Sequence, residues 1–234
     1  MFKSDMNIIV TGCSRGIGSA LAKILVGRNH RVWGLARSIE KLKKIKNELG
    51  QNFQYTATDI TDFHDIQNAF EEISNKWSTV QGLVNNAGLL INKPFLKQSS
   101  EDWEKQISVN LTAPVQLIKS FYPLFYNAHV VNISSMGGFQ GSSKFPGLSA
   151  YSSAKGGLSI LTECLQAELG GEGHTFNALC LGAVHTEMLE TAFPGFEPEL
   201  KPEAMAEYLA DFLLKGHQYF SGKILPVAQN DPGY

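Results

Sequence analysis

Tyr151 and Lys155 are the two residues whose types and spacing most directly offer chemistry. Leu158, Leu161, Leu165 and Leu169 follow at helical spacing and predict a helix over 150–169. On such a helix, residues four apart share a face. A free phenol has a pKa of about 10. An ammonium beside it favours the phenolate, so Lys155 is expected to lower the Tyr151 pKa and bring its proton exchange toward neutral pH. Taken alone, such a pair is far more often a packed tyrosine and a solvated lysine. What the rest of the chain places around it decides between the two.

The elements that must position this pair alternate between strand and helix. Residues 7–11 (N-I-I-V-T) read as a short buried strand, followed by a loop with Gly12, Gly16 and Gly18, and then by helical spacing through Ile17, Leu21, Ile24 and Leu25. A strand, a glycine loop and a helix in that order form a phosphate cradle. Glycines let the backbone approach the ligand, and the helix N-terminus presents unpaired N–H groups and a positive dipole end. The second strand, 31–37, ends Leu35-Ala36-Arg37. In dinucleotide folds this end meets the adenosine ribose, where an acidic residue would hold the 2′-hydroxyl of NAD. Here there is no carboxylate; Arg37 and Arg15 offer guanidinium groups that match a 2′-phosphate. The expected cofactor is NADP(H) in preference to NAD(H), by about 2–4 kcal/mol if both contacts form.

A third strand is predicted over 53–58 and ends in Asp59; Thr61 or Asp62 caps the next helix. A fourth, 80–84, closes on Asn85-Asn86-Ala87-Gly88, small and amide residues at a strand's ligand-facing end. A long helix then starts at the Ser99/Asp102 capping pair and carries Trp103, Ile107, Leu111, Val115 and Ile118. Asn110 is an odd choice inside it, and Pro114 removes the N–H that would bond the Asn110 carbonyl. Either a locally broken helix whose free carbonyl holds a water or a plain kink follows. The fifth strand, 129–133, leads into Ser134-Ser135 and a Gly/Ser-rich loop; the sixth is 175–180 and the seventh 224–227, with Pro202 opening a last helix. The pattern predicts one α/β domain over 1–234, a doubly wound Rossmann-type sheet of about seven mostly parallel strands with helices on both faces.

Composition narrows the function classes. With 43% apolar residues and a net charge of −2, nothing favours nucleic acid. Cys13, Cys164 and Cys180 are scattered, and no histidine cluster has metal-ligand spacing, so neither a disulfide framework nor a bound metal is expected. No apolar run reaches the ~20 residues of a membrane span, and no signal-peptide pattern is visible. A cytoplasmic protein is expected. Cys13 is read as a small residue packed for fit, and His185 as a polar loop residue or a substrate contact.

In order and at near-family spacing, Thr11-Gly12-x-x-x-Gly16-x-Gly18, Asp59, Asn85-Asn86-Ala87-Gly88, Asn110, Ile133-Ser134-Ser135 and Tyr151-x-x-x-Lys155 resemble the short-chain dehydrogenase/reductase family. The resemblance covers residues 7–227. It implies Tyr151 as proton donor or acceptor, Ser135 as the group that holds the substrate oxygen, and Asn110 as holder of a relay water. Lys155 would bind the nicotinamide ribose and depress the Tyr151 pKa. Asp59, with Ile60, would contact adenine, and Thr186 the carboxamide. The phosphates would lie on Gly12, Ser14, Arg15, Gly16, Ile17 and Gly18, with Arg37 beyond and Asn86, Ala87 and Gly88 opposite. Of the two serines, Ser135 is chosen because it directly precedes x-Gly-Gly. This chain departs from the family in its long Ser135–Tyr151 loop, in Leu181 where proline is common before Gly182, and in a C-terminal run, residues 226–230, without Asp-Gly-Gly.

The implied activity is hydride transfer between NADPH and a ketone or secondary alcohol; a non-catalytic NADP-binding sensor on the same fold is the other reading. Residues 187–201, which show no strong periodicity, are expected to form a substrate lid, with Met188, Leu189, Phe193 and Phe196 either as an apolar substrate wall or as the lid's own packing against the core. Surplus apolar residues on the helices before and after Tyr151 point to a homodimer or homotetramer.

Overall fold

The computed structural model describes residues 5–229. Seven strands form one sheet in the order β3-β2-β1-β4-β5-β6-β7. They are β1 (Asn7–Thr11), β2 (Arg31–Ala36), β3 (Phe53–Ala57), β4 (Val80–Asn85), β5 (Phe125–Ser135), β6 (Thr175–Leu181) and β7 (Ile224–Val227). Every pairing is parallel, so the expected antiparallel allowance was unnecessary. Order reverses between β1 and β4, and the two strand ends there, Thr11 and Asn85, open onto the crevice where such sheets bind ligands.

Side chains alternate across the sheet and build two cores. Ile8 and Val10 pack with α1 (Gly16–Gly27), α2 (Ile39–Leu49) and α8 (Pro202–Lys215). Ile9, Leu83 and Val130 face the other way, onto α3 (Phe63–Ser74) and α5 (Ala113–Phe121). Strands buried on both faces explain the near-continuous apolar runs in the sequence. Helix starts follow the capping chemistry. Asp62, not Thr61, caps α3 by accepting from the His64 and Asp65 N–H groups, and Ser99 with Asp102 forms a reciprocal capping box at α4 (Ser100–Ile107).

The single long helix expected after Ser99 is divided. Between α4 and α5 the chain makes a π turn, Ser108–Thr112, in which the Ala113 N–H reaches back to the Ser108 carbonyl. Two residues force it: Asn110 turns its amide onto the Gln106 carbonyl at 2.8 Å, and Pro114 supplies no N–H. β5 begins earlier than the apolar run indicates, because Phe125 pairs with Val80 across a register shift. Residues 187–201 are not wholly irregular either. Glu187–Ala192 forms the short helix α7, capped by the Thr186 hydroxyl and carrying Glu187 and Glu190 in its first turn. Six residues are too few to show a helical period.

β7 is an edge strand and contains Pro226. Leu181 continues β6 opposite Val227, and the Gly182 N–H bonds the Val227 carbonyl at 3.0 Å, so hydrogen bonding fixes this corner where proline would have stiffened it. Gly182 lies so close to Ala228 that an added Cβ would sit 2.9 Å from the Ala228 Cβ. Asn230 lies outside the described residues. Among the described residues no helix is long and apolar enough to cross a membrane.

A buried polar knot ties β5 and β6 to the C-terminal segment. His129, 1% exposed, donates from Nδ1 to the Leu213 carbonyl at 2.9 Å and accepts at Nε2 from the Asn177 amide at 3.0 Å. Asn177 also donates to the Phe220 carbonyl and accepts from the Lys223 N–H. Burial pushes the His129 imidazole down to about 4. A histidine whose folded pKa is depressed contributes stability above its unfolded pKa, about 6.5, and loses it as pH falls toward the folded value. His30 and His174 are lowered in the same sense. Melting wild type and His129→Leu from pH 7 to 4.5 should show a steeper loss in wild type, with His129 accounting for about 3 kcal/mol when fully protonated. Parallel curves would show that His129 is not the group responsible.

Candidate active site

The glycine loop is fastened to the end of β4. Thr11 Oγ1 accepts from the Asn86 and Ala87 N–H groups, each at 3.0 Å, and the Asn86 side-chain amide donates to the Thr11 carbonyl at 2.9 Å. Gly12 has φ +68°, and a Cβ there would lie 2.8 Å from the Ala87 Cα. At Gly18 a Cβ would lie 2.5 Å from the Gly12 carbonyl oxygen. Both glycines are therefore required by contact, and Gly12 by turn geometry as well. The α1 N-terminus that they position is uncapped: Arg15 at the N-cap offers no acceptor, and no acidic residue lies in the first turn. The N–H groups of Gly16, Ile17 and Gly18 thus face the crevice as a donor set suited to phosphate oxygens. Ser14 is half-buried at the rim. Cys13 is fully buried, and burial pushes its thiol up to about 12, so it is packing and not a reactive group.

At the other end of this crevice, Arg37 is exposed just beyond β2, and its charge reaches Asp59. Burial pushes the Asp59 carboxyl up, but the Thr61 backbone and hydroxyl donors and Arg37 bring it below its ordinary value. Its Oδ1 accepts from the Thr61 N–H at 3.0 Å and hydroxyl at 2.7 Å, while Ile60 is buried beside it. Arg15, the second expected phosphate ligand, points elsewhere: its guanidinium pairs with Glu187 at 2.5 Å.

Ser135, Tyr151 and Lys155 come together where β5 ends against α6 (Ser149–Leu169). The Ser135 hydroxyl lies near enough to the Tyr151 phenol to favour its ionised form, and it accepts from the Gly137 N–H at 3.1 Å. Ser134 faces the interior instead, where its Oγ donates to the Lys155 carbonyl at 2.8 Å and accepts from Ser159 at 3.1 Å. One residue of strand separates a serine at the cleft from a serine in the core.

Lys155 Nζ bonds the Ile133 carbonyl at 2.7 Å and lies 5.9 Å from the centre of the Tyr151 ring. The expectation that this ammonium lowers the Tyr151 pKa is corrected. Burial pushes Tyr151 up to about 12 against the opposing effect of the Ser135 hydroxyl, and burial pushes Lys155 down to about 8. Desolvation dominates because both groups are enclosed, at 7% and 3% exposure.

Gly88 is exposed at the centre of this group. A Cβ there would lie 3.2 Å from Asn110 Oδ1, 3.8 Å from Lys155 Nζ and 4.0 Å from Met188 Sδ. The Asn110 side chain is fully occupied, accepting from the Leu89 N–H at 3.1 Å and donating to the Leu89 and Gln106 carbonyls. Only its main-chain carbonyl is left for a water. Thr186 puts its methyl 3.5 Å from where a Gly16 Cβ would be, and its hydroxyl caps α7. His185 accepts from Lys201 at its Nδ1, at 2.7 Å, and is a polar loop residue in this arrangement.

Three neighbours escaped the sequence reading. Glu187 follows Thr186 in a stretch read for its apolar residues, Asn92 donates to the Ala192 carbonyl at 2.9 Å, and Gln106 accepts from the Ile91 N–H at 2.9 Å. An acidic residue directly after Thr186, at a helix start, was the one available signal. Asn92 and Gln106 gave none, since their partners are backbone atoms far along the chain.

The family described as short chain dehydrogenase matches residues 6–195. The chain is 32% identical over 180 residues to a 3-oxoacyl-[acyl-carrier-protein] reductase of Salmonella typhimurium, covering 77% of this chain and 74% of that protein. It is 32% identical over 187 residues to the human protein of the same name, covering 79% and 78%. A 3-ketoacyl-(acyl-carrier-protein) reductase from Brucella melitensis, solved as a complex with NADH, superposes with a TM-score of 0.87 at 24% identity over 95% of this chain and 96% of that one. Levodione reductase superposes at 0.85 with 22% identity, covering 96% of each chain.

The two serines should separate in unfolding experiments. Ser134→Ala leaves a doubly bonded core position short of one donor and should cost about 1–3 kcal/mol. Ser135→Ala, at the half-exposed rim, should cost less than about 1 kcal/mol. Urea midpoints for both variants test the assignment; the reverse order would place Ser134 at the cleft.

Proposed function

The chain belongs to the short-chain dehydrogenase family, and on that premise we propose that it reduces a ketone to a secondary alcohol with NADPH, with Tyr151 as proton donor. The observation that carries the proposal is the meeting of the Ser135 hydroxyl, the Tyr151 phenol and Lys155 beside the open backbone of Gly88. When bound, the nicotinamide supplies the hydride. The protein's own residues supply position and the proton. The uncapped α1 N-terminus holds the phosphates, and Arg37 with Arg15 favours the 2′-phosphate.

A phenol neutral at pH 7 is able to protonate a carbonyl oxygen, and Ser135 orients that oxygen by a second hydrogen bond. As the proton leaves, Lys155 at close range stabilises the phenolate, and a water on the Asn110 carbonyl refills the proton. Met188 lies against Gly88 and supports the reading of α7 and the residues after it as a substrate lid. The relatives' names make a 3-oxoacyl thioester the first candidate substrate.

A panel of carbonyl compounds beginning with 3-oxoacyl thioesters, assayed with NADPH, tests the reading. Wild type should turn over at least one class, and Tyr151→Phe should lose about 10²–10⁴-fold, as expected for removing a general acid. Turnover that survives in Tyr151→Phe would sink the proton-donor assignment. No turnover on any class would favour a nucleotide-binding sensor.

Association is proposed on a separate observation. Trp103, Ile107, Leu111 and Val115 form a half-exposed stripe along α4, the π turn and α5. On the adjacent α6, Ile160 is 57% exposed. These are not deep core positions, and pairing the two helices with a second copy would cover them. Light scattering at low micromolar concentration should give a mass of at least twice 25.7 kDa. A monomer with full activity would refute it.

A further inference from the structure

We propose that Glu187 sets cofactor discrimination by competing with the 2′-phosphate for Arg15, so that NADPH, and not NADH, unfastens the N-terminal end of α7. This rests on the NADPH reading above. α7 is held at both ends. At its start, the Glu187 carboxylate meets the Arg15 guanidinium at 2.5 Å, beside the close approach of Thr186 to Gly16. At its end, the Ala192 carbonyl accepts from Asn92 at 2.9 Å. The helix therefore bridges the glycine loop and the loop after β4, with Met188 above Gly88 between them.

The two fastenings differ in kind. The Asn92 bond is neutral and makes no demand on the cofactor. The Arg15–Glu187 pair is half-exposed on both sides, at 50% and 59%, and such pairs are weak and easily exchanged. A phosphate monoester carries nearly twice the charge of a carboxylate and a third acceptor oxygen, so it out-competes Glu187 for the same guanidinium. NADH has no group at the 2′ position to do this. Glu187 thus lowers the affinity for NADPH by the strength of one exposed ion pair and leaves NADH unaffected. Once Arg15 turns to the phosphate, α7 can pivot about its Asn92 end.

The test titrates NADPH and NADH by fluorescence into wild type, Glu187→Gln, Arg15→Gln and the double variant. Hydrogen exchange of the α7 amides is followed in parallel. Glu187→Gln should tighten NADPH by about two- to fivefold and leave NADH unchanged. The double variant should behave as Arg15→Gln alone, since the Glu187 effect acts through Arg15. In wild type, α7 should exchange faster with NADPH than with NADH, and in Glu187→Gln faster than in wild type without cofactor. Glu187→Asp, one methylene shorter, should move each quantity in the same direction and serves if Glu187→Gln folds poorly. An unchanged NADPH-to-NADH ratio in Glu187→Gln, with wild type preferring NADPH, overturns the competition. A wild type with no NADPH preference overturns the cofactor reading and the competition that rests on it. Faster α7 exchange in cofactor-free Glu187→Gln would then still show that the pair fastens the helix.

Discussion

A lysine amine taken almost wholly out of water is the group on which the rest of the arrangement depends. Burying such a charge is strongly unfavourable unless it is hydrogen-bonded. Lys155 meets this demand through the Ile133 carbonyl, which fixes α6 against the end of β5. Ser134 and Ser159 close on the Lys155 carbonyl from two sides and fix the same junction through the backbone. With α6 held there, Tyr151 has one place to go, and it meets Ser135. Gly138 lies so close to this helix that a Cβ would sit 2.6 Å from the Gly156 nitrogen. The position of the phenol is therefore set by strand–helix contacts and not by the long loop between Ser135 and Tyr151. That loop is tied down separately, by Ser142 and Lys144 bonding to the Phe139 carbonyl and by the Lys93 N–H bonding to the Gly147 carbonyl.

Much of this was legible beforehand because local patterns and global fold agree. The apolar runs at 7–11, 31–37 and 80–84 fall on β1, β2 and β4, the Ser99/Asp102 pair caps α4, the cap expected at Thr61 or Asp62 is Asp62, and Gly12 and Gly18 lie where only glycine fits. The Tyr151/Lys155 face could be placed from helical spacing alone. What could not be read depended on distances between residues far apart in sequence. Ser134 and Ser135 are chemically identical neighbours; the x-Gly-Gly context picked Ser135, but the interior partners of Ser134 follow only from the strand's pleat. The direction of the Tyr151 shift turned on how completely α6 is covered, a quantity with no signature in Tyr-x-x-x-Lys. Arg15 was read by its charge, but Glu187, 172 positions away, determines where that charge points.

The π turn has a similar lesson. Asn110 and Pro114 each announced a defect in an otherwise regular helix, and the sequence could not say which kind. The structure resolves it by letting the Asn110 amide bridge Gln106 and Leu89, so that one wide turn aims a side chain at the loop after β4. Leu89 is then held at both its N–H and its carbonyl, which makes the floor beneath Gly88 rigid. A helix irregularity that would lower stability elsewhere serves here to define one wall of the cleft.

Pro226 has a consequence at the opposite edge of the molecule. In a strand, the N–H and carbonyl of one residue point to the same side, and successive residues alternate. Lys223 and Val227 turn their carbonyls toward β6, receiving the Ala178 and Gly182 N–H groups. Ile224 and Pro226 therefore face outward, and Pro226 has no donor to present. An outside strand seeking to extend the sheet would find a single N–H along β7. The sheet is thus a poor template for strand-by-strand growth at this edge, and copies that meet here must do so through side chains.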